Sequence, residues 1–297
     1  MRATFWCAAV LAIVLAHSAS SQVATVPQRT DDNLIVAAYN IQFFGERSHD
    51  NTKLAQVIQH FDVCGVIEVK GESELVKLVD ELEALTGKDW GYGFGVRTHR
   101  PGGSYHEAFG AVWRKDRVEL GDGVIGGIWD REEAYRNDPY ILSLKRKNFD
   151  FILGLLHTRW TDDEEGTREN EVATLADYIA WMKGFIDERD LILAGDFNYS
   201  LGSGPMRQLV EETNLRAIDK NPKSTFKRDG SGWASSYDHI FIGPGTTEYQ
   251  EDTCDTLDVT RLVFGDNLPM NMRKARRELS DHLPIFAVFD VSGPDDD

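Results

Sequence analysis

Two short motifs near the C-terminal end of the chain carry side chains that can do chemistry. Gly195-Asp196-Phe197-Asn198 closes an apolar run, and Ser280-Asp281-His282-Leu283-Pro284 opens another. Three earlier segments share the design: Tyr39-Asn40-Ile41-Gln42, Ile67-Glu68-Val69 and Leu156-His157-Thr158. Each puts an oxygen or imidazole group at the end of a strand, where a rigid scaffold can aim it. Together they predict metal-assisted hydrolysis of a phosphodiester. Glu68 interrupts an apolar run, and a buried carboxylate is costly unless it pairs with a cation or binds a metal. Hard divalent cations take oxygen donors, and Mg²⁺ commonly keeps several waters. Glu68, Asn40 and Asp281 are the expected metal-site residues. Zinc fits less well, because no His pair stands at ligand spacing and Cys64 lies far from Cys254.

His157 and His282 are the expected acid and base, since imidazole exchanges a proton near neutral pH. Each needs a carboxylate to orient it. Glu107 and Asp238 stand on short β-like segments and can serve. Asp196 can orient or deprotonate the attacking water. Asn198 can donate to a non-bridging phosphate oxygen as charge builds there. Taken alone, Gly-Asp-Phe-Asn also describes a strand that ends in an Asx turn.

These groups need elements to hold them. Apolar β-rich runs cover Leu34–Gln42, Val63–Val69, Phe109–Trp113, Val118–Ile125, Ile141–Lys145, Phe149–Leu156, Leu191–Ala194, Tyr237–Ile242 and Pro284–Val291. Helical periodicity covers Thr52–His60, Ser73–Thr86 and Glu164–Asp187. Helices fall between strands, yet several strands follow one another directly, which favours mixed sheets. On alternation, Asn40 and Gln42 share one strand face, and Asp196 and Asn198 share another. Two sheets face to face with helices outside suit this count, and no linker divides the chain after residue 20.

The first twenty residues stand apart. Arg2 is a short positive region, Ala3–Ala16 is apolar, and Ser18-Ala19-Ser20 is a small-residue cleavage site. This reads as a secretory signal peptide over residues 1–20, followed by one domain over 21–297 with a short acidic tail. A secreted, extracellular protein is expected, or a periplasmic one in a Gram-negative bacterium. No later segment is apolar for long enough to span a bilayer. Nothing indicates an oligomer, so a monomer without stable membrane association is expected. The net charge of −17 argues against loose adhesion to nucleic acid. It does not exclude a nuclease, because a bound cation and a few local arginines can set the field at the site. Cys64 and Cys254 are a bridge or two buried thiols.

The chain resembles the endonuclease/exonuclease/phosphatase superfamily, and within it the secreted deoxyribonuclease I branch. The matching segments are AAYNIQFFG (Ala37–Gly45), VIEVK (Val66–Lys70), YHEAFGAVWR (Tyr105–Arg114), LLHTRW (Leu155–Trp160), AGDFN (Ala194–Asn198), YDHIF (Tyr237–Phe241) and SDHLP (Ser280–Pro284). The resemblance implies an α/β fold: a four-layer α/β/β/α sandwich with its site where the two sheets open. It implies Mg²⁺-assisted hydrolysis of DNA with little sequence specificity. Mn²⁺ is a substitute ion, and Ca²⁺ a supporting one. By position it makes Glu68 and Asn40 metal-site residues with Asp281 nearby. It pairs His157 with Glu107 and His282 with Asp238. Lys70 matches an arginine that reaches into a DNA groove, and Tyr105 an aromatic that packs on deoxyribose.

The chain also departs from the family pattern. The order Arg136-Asn137-Asp138-Pro139 displaces a phosphate-binding arginine by one residue. Arg159 is therefore expected to supply that contact. The basic run Arg273-Lys274-Ala275-Arg276-Arg277 is either a backbone-holding patch, with Arg276 and Arg277 on DNA, or a solvated helix face. The competing function is hydrolysis of a lipid or small-molecule phosphate ester, as in sphingomyelinases and inositol-phosphate phosphatases. A binding scaffold without activity is the third reading, against which His157, His282, Asp196 and Glu68 all count.

Overall fold

The computed structural model describes residues 25–95, 107–127, 135–161, 166–185, 189–268 and 270–294. In chain order the elements are β1 (Asn33–Phe44), α1 (Asn51–Ile58), β2 (Val63–Val69), α2 (Glu72–Thr86), β3 (Trp90–Phe94), β4 (Ala108–Arg114), β5 (Glu119–Gly127), β6 (Tyr140–Arg146) and β7 (Phe149–His157). They continue with α3 (Thr167–Phe185), β8 (Leu191–Asp196), α4 (Gly204–Thr213), β9 (Arg216–Ala217), β10 (Asp238–Ile242), β11 (Asp255–Thr256), α5 (Val259–Phe264), α6 (Met270–Glu278) and β12 (Ile285–Asp290). The strands form two six-stranded mixed sheets, ordered β11-β12-β1-β2-β4-β3 and β5-β6-β7-β8-β10-β9.

Side-chain alternation builds the layers. In β1, Leu34, Val36 and Ala38 enter the core between the sheets. Ile35, Ala37, Tyr39 and Ile41 enter the core beneath α1, α2, α5 and α6. In β7, Phe151, Leu153 and Leu155 face the first sheet, while Ile152 and Leu156 meet α3 and α4. The order is helix, sheet, sheet, helix. In α3, Val172, Leu175, Ile179 and Met182 form the buried face that periodicity selects. Among the described residues no helix is long and apolar enough to cross a membrane. Cys64 and Cys254 are buried free thiols.

Sequence patterns miss β3 and α4. Glycines at 91 and 93 break up the β3 run, which edge pairing with β4 nonetheless holds extended. The polar α4 has short-range signals that do mark it: Pro at its first turn and Asn214 in the left-handed conformation after its end. The expected leader peptide and the acidic residues after Pro294 lie outside the described residues.

Candidate active site

The strand pairings gather the functional groups at one end of the sandwich. β1 and β2 are parallel, so Asn40 and Glu68 stand at neighbouring C-terminal ends. β7 and β8 are also parallel, with His157 in register with Asp196. β10 runs antiparallel to β8 and brings its first residue, Asp238, opposite Asp196. β4 runs antiparallel to β2, which delivers Glu107 just before its start. β12 runs antiparallel to β1 and brings Asp281 and His282 to the same end.

Period two then aims the side chains. Ala38, Phe109, Leu155, Ala194 and Ile240 all belong to the core between the sheets. One step of alternation along each strand turns Asn40, Glu107, His157, Asp196 and Asp238 to that same inner face. Glu68 violates the parity, because Ile67 already faces inward. A bulge corrects it: the pairing register shifts on both sides of Glu68, and its φ is +65°. A left-handed backbone at a non-glycine residue costs roughly 1–3 kcal/mol. Phe43 at +53° and Asn198 at +52° join it at the cleft. Gly195 is required where it stands: a Cβ would lie 2.0 Å from the Leu156 carbonyl oxygen, so only glycine lets β7 and β8 approach here.

His157 Nδ1 lies 2.9 Å from Glu107 Oε2, and His282 Nδ1 lies 2.8 Å from Asp238 Oδ2. The two Nε2 atoms face one carboxylate, with Asp196 Oδ2 at 3.8 Å from His157 and 3.5 Å from His282. Asn40 donates to Glu68 Oε1 at 3.0 Å and to Asp196 Oδ2 at 3.1 Å. The Phe43 amide donates to Glu68 Oε2 at 2.9 Å. Ser280 Oγ donates to the Asn40 carbonyl at 2.6 Å and accepts from the His282 amide at 3.1 Å, which fixes the Ser-Asp-His motif to β1. Asp196 Oδ1 accepts from the Asn198 amide N–H at 2.9 Å. Asn198 donates its side-chain amide to the Thr158 carbonyl at 2.8 Å, so the Asx turn and the functional placement coexist. These groups open into a cleft of about 560 Å³.

Charge follows from this crowding. Burial works against imidazolium at His157, but Glu107, Asp196 and Glu68 outweigh it and push the pKa up to about 10. His282 is treated the same way by Asp238 and Asp196 and stands well above the ordinary value. Burial, then the Glu107 charge, raises Glu68. Burial raises Asp196, with His282 partly offsetting it.

A family model described as endonuclease/exonuclease/phosphatase matches residues 37–282. The chain belongs to the endonuclease/exonuclease/phosphatase family. Membership makes it a hydrolase of phosphodiesters or phosphate monoesters. A protein named deoxyribonuclease from a Thioalkalivibrio species is 25% identical over 276 residues, spanning 90% of this chain and 74% of its own. Among solved structures, a mannosyl-6-phosphatase from Bacteroides thetaiotaomicron aligns with a TM-score of 0.58 at 17% identity, covering 86% of this chain and 98% of its own. D. rerio TDP2 complexed with a single-strand DNA product aligns with a TM-score of 0.59 at 13% identity, covering 87% and 99%. The fold is thus that of this family.

Two groups of side chains in this endonuclease/exonuclease/phosphatase site could hold a metal ion: Glu68 with Glu107 and His157, and Asp196 with Asp238 and His282. The donor set fits a hard cation. Asn40 Oδ1 is buried and has no hydrogen-bond partner, and it sits on the amide that already binds Glu68 and Asp196. Asp281 lines the cleft but belongs to neither group; its Oδ2 accepts from Gln42 at 2.7 Å and lies 3.5 Å from Arg276.

The substrate-binding expectations divide. Arg276 lines the cleft, and Arg277 does not. Arg159 differs from expectation: it is buried, its backbone N–H donates to Glu171 Oε2 at 2.6 Å, and its guanidinium lies 3.6 Å from the same oxygen. Arg136 lines the cleft instead, on a loop whose amide donates to Glu171 Oε1 at 2.7 Å. The displaced arginine thus reaches the cleft wall, and the large residue after His157 that does so is Trp160, 58% exposed. Lys70 turns inward, 3.9 Å from Glu107 and 3.6 Å from Glu46, rather than outward. Tyr105 lies outside the described residues. Lys227 and Arg228 also line the cleft; their loop gives no periodic signal in the sequence.

Asp238 has a supporting neighbour in His239, which is fully buried. Its Nδ1 faces Asp219 at 3.2 Å and its Nε2 faces the Tyr199 carbonyl at 2.8 Å. Both partners are acceptors, so both nitrogens carry protons. Burial opposes this charge, yet the Asp219 hydrogen bond and charge raise the pKa. A raised imidazole contributes stability that is complete below its unfolded pKa of about 6.5 and is lost as pH rises through the folded value. Asp219→Asn is expected to cost roughly 1–3 kcal/mol. Urea unfolding should show that cost largest below about pH 6.5 and shrinking at alkaline pH. A cost that grows with pH would show that His239 is buried neutral.

Proposed function

We propose that this chain is a secreted, Mg²⁺-dependent endonuclease that cuts DNA with little sequence specificity. The carrying observation is the pair of imidazoles, each held by a carboxylate at Nδ1 and turned at Nε2 toward the shared Asp196. The gaps of 3.5 and 3.8 Å to Asp196 exceed a hydrogen bond and leave Nε2 protons for a phosphate group. The deoxyribonuclease name of the Thioalkalivibrio relative supports DNA as substrate.

Glu68 and Asn40 would hold the cation, with Asp281 beside them. Bound there, Mg²⁺ supplies Lewis-acid stabilisation of charge on the phosphate. The chain's own groups do the rest. Asp196 orients a water and takes its proton as the water oxygen bonds to phosphorus. The opposite P–O bond breaks, and the imidazolium of His157 gives its proton to the departing oxygen. His282 donates from Nε2 to a non-bridging oxygen, where charge develops. Arg136 and Arg276 supply positive charge along the cleft. One water is consumed, and the products are a phosphate monoester and an alcohol.

The purified protein should convert supercoiled plasmid to nicked and linear forms with Mg²⁺, and EDTA should stop it. Intact plasmid across divalent ions, with phosphate released from sugar or inositol phosphates, would establish the phosphatase reading in its place.

A further inference from the structure

A second groove of about 540 Å³ adjoins the active cleft. Gln42, Phe43, Arg228 and Arg276 line both, so the two form one trough. The groove is ringed by Arg47, Arg228, Arg273, Arg276 and Arg277, with Asp229 as its acidic member. In a chain of net charge −17, that concentration of guanidinium needs an explanation. We infer that this groove is a second phosphate subsite, which holds a backbone phosphate of a polynucleotide adjacent to the one being cleaved. The inference rests on the nuclease reading and specifies its substrate: an ester with at least two phosphates in series, for which a phosphomonoester would leave the groove empty.

Three separate segments build the groove, and each is fixed before any ligand arrives. Arg47, just after β1, donates to the carbonyls of Arg276 at 2.5 Å and Arg277 at 2.7 Å. It thereby caps the last turn of α6, and Asp281 is the carboxylate whose charge acts on it. The loop after Phe226 folds on itself through Lys227 N–H to the Gly232 carbonyl at 2.8 Å. It lies flat on α6 at Gly230, which has φ +66°, and whose added Cβ would lie 3.1 Å from Arg273 Cα and 3.2 Å from Arg273 N. Arg273 Nε in turn donates to the Asp229 carbonyl at 3.0 Å.

A solvated helix face would pair its arginines with carboxylates. Arg277 does so, at 2.6 Å from Glu278. Among the described residues, Arg228 and Arg273 have no carboxylate within ion-pairing distance, and Arg276, whose Nη1 lies 3.5 Å from Asp281, keeps a buried Nε with no hydrogen-bond partner. Unspent guanidinium donors in a preformed trough match the planar, bidentate geometry of phosphate. Contacts of this kind set register along a strand and carry no sequence information, which suits an endonuclease without sequence preference.

The test reads binding separately from hydrolysis. A fluorescent oligodeoxynucleotide is titrated with protein in EDTA across a range of salt concentrations. Wild type, Arg273→Gln/Arg277→Gln and a remote control, Arg216→Gln/Lys220→Gln, are compared. The groove variant should bind at least tenfold more weakly, with a log–log salt slope shallower by roughly one to two units, while the control follows wild type. Equal affinity and slope in the groove variant, or an equal loss in the control, would overturn the subsite. The plasmid assay judges the nuclease reading on its own, so the two can fail separately.

Discussion

Replacing His157 or His282 with alanine should abolish most hydrolysis in a protein that still folds. Proton transfer by a positioned side chain contributes roughly 10²–10⁴-fold, and one hydrogen-bond donor to a developing oxyanion roughly 10²–10³-fold. The two losses should differ in kind. In the proposed mechanism His157 gives a proton to the departing oxygen, so His157→Ala should fall further on DNA than on bis(p-nitrophenyl) phosphate, whose leaving group needs no proton. His282→Ala should fall alike on both. The neighbouring carboxylates keep His157 protonated up to a pKa of about 10 against the cost of burial. Wild-type turnover on DNA should therefore decline as pH rises and the donor empties. A cation at Glu68 repels the imidazolium and draws this decline toward neutrality. Near-normal plasmid cleavage by either variant, with native circular dichroism, would remove that histidine from the mechanism.

The second large effect belongs to Glu68→Gln. Three carboxylates, Glu68, Glu107 and Asp196, are buried around His157 and Asn40. Glu68 and Asp196 are raised by that burial. A carboxylate with a raised folded pKa stabilises the fold below its unfolded pKa and loses that contribution as pH rises through the folded value. At neutral pH the ionised site is thus a load on the fold that a bound cation offsets. Glu68→Gln should shift the Mg²⁺ midpoint of plasmid cleavage upward by at least about tenfold. It should also shrink the rise in Tm that Mg²⁺ gives wild type at pH 7. An unchanged metal titration would take Glu68 out of the site.

Much of this architecture could be read from residue types. Apolar runs at period two mark the inner strands of both sheets, and a polar group one step past such a run is conspicuous. Asn40, His157, Asp196 and Asp238 are legible for that reason. Glu68 stands out by its charge, but alternation alone aims it at the helices; only the bulge turns it back. Arg136 and Arg159 show the opposite limit. Sequence distance from a motif says nothing about which loop guanidinium reaches the cleft, and a carboxylate on α3, Glu171, decides it by binding both loop amides. Lys227, Arg228 and the α6 arginines become one surface only through a turn docked at Gly230.

Asn40, Glu68 and Glu107 come with the first sheet, and His157, Asp196 and Asp238 with the second. His282, attached to the first, is oriented by a residue of the second. No fragment that contains one sheet owns a working set of groups. Hydrolysis is therefore a readout of sheet-on-sheet docking, and a chain whose two sheets have not yet met has no working site. In refolding, activity should return in step with burial of the interface between the sheets and never ahead of it. The fold itself acts as the safety catch on the hydrolysis.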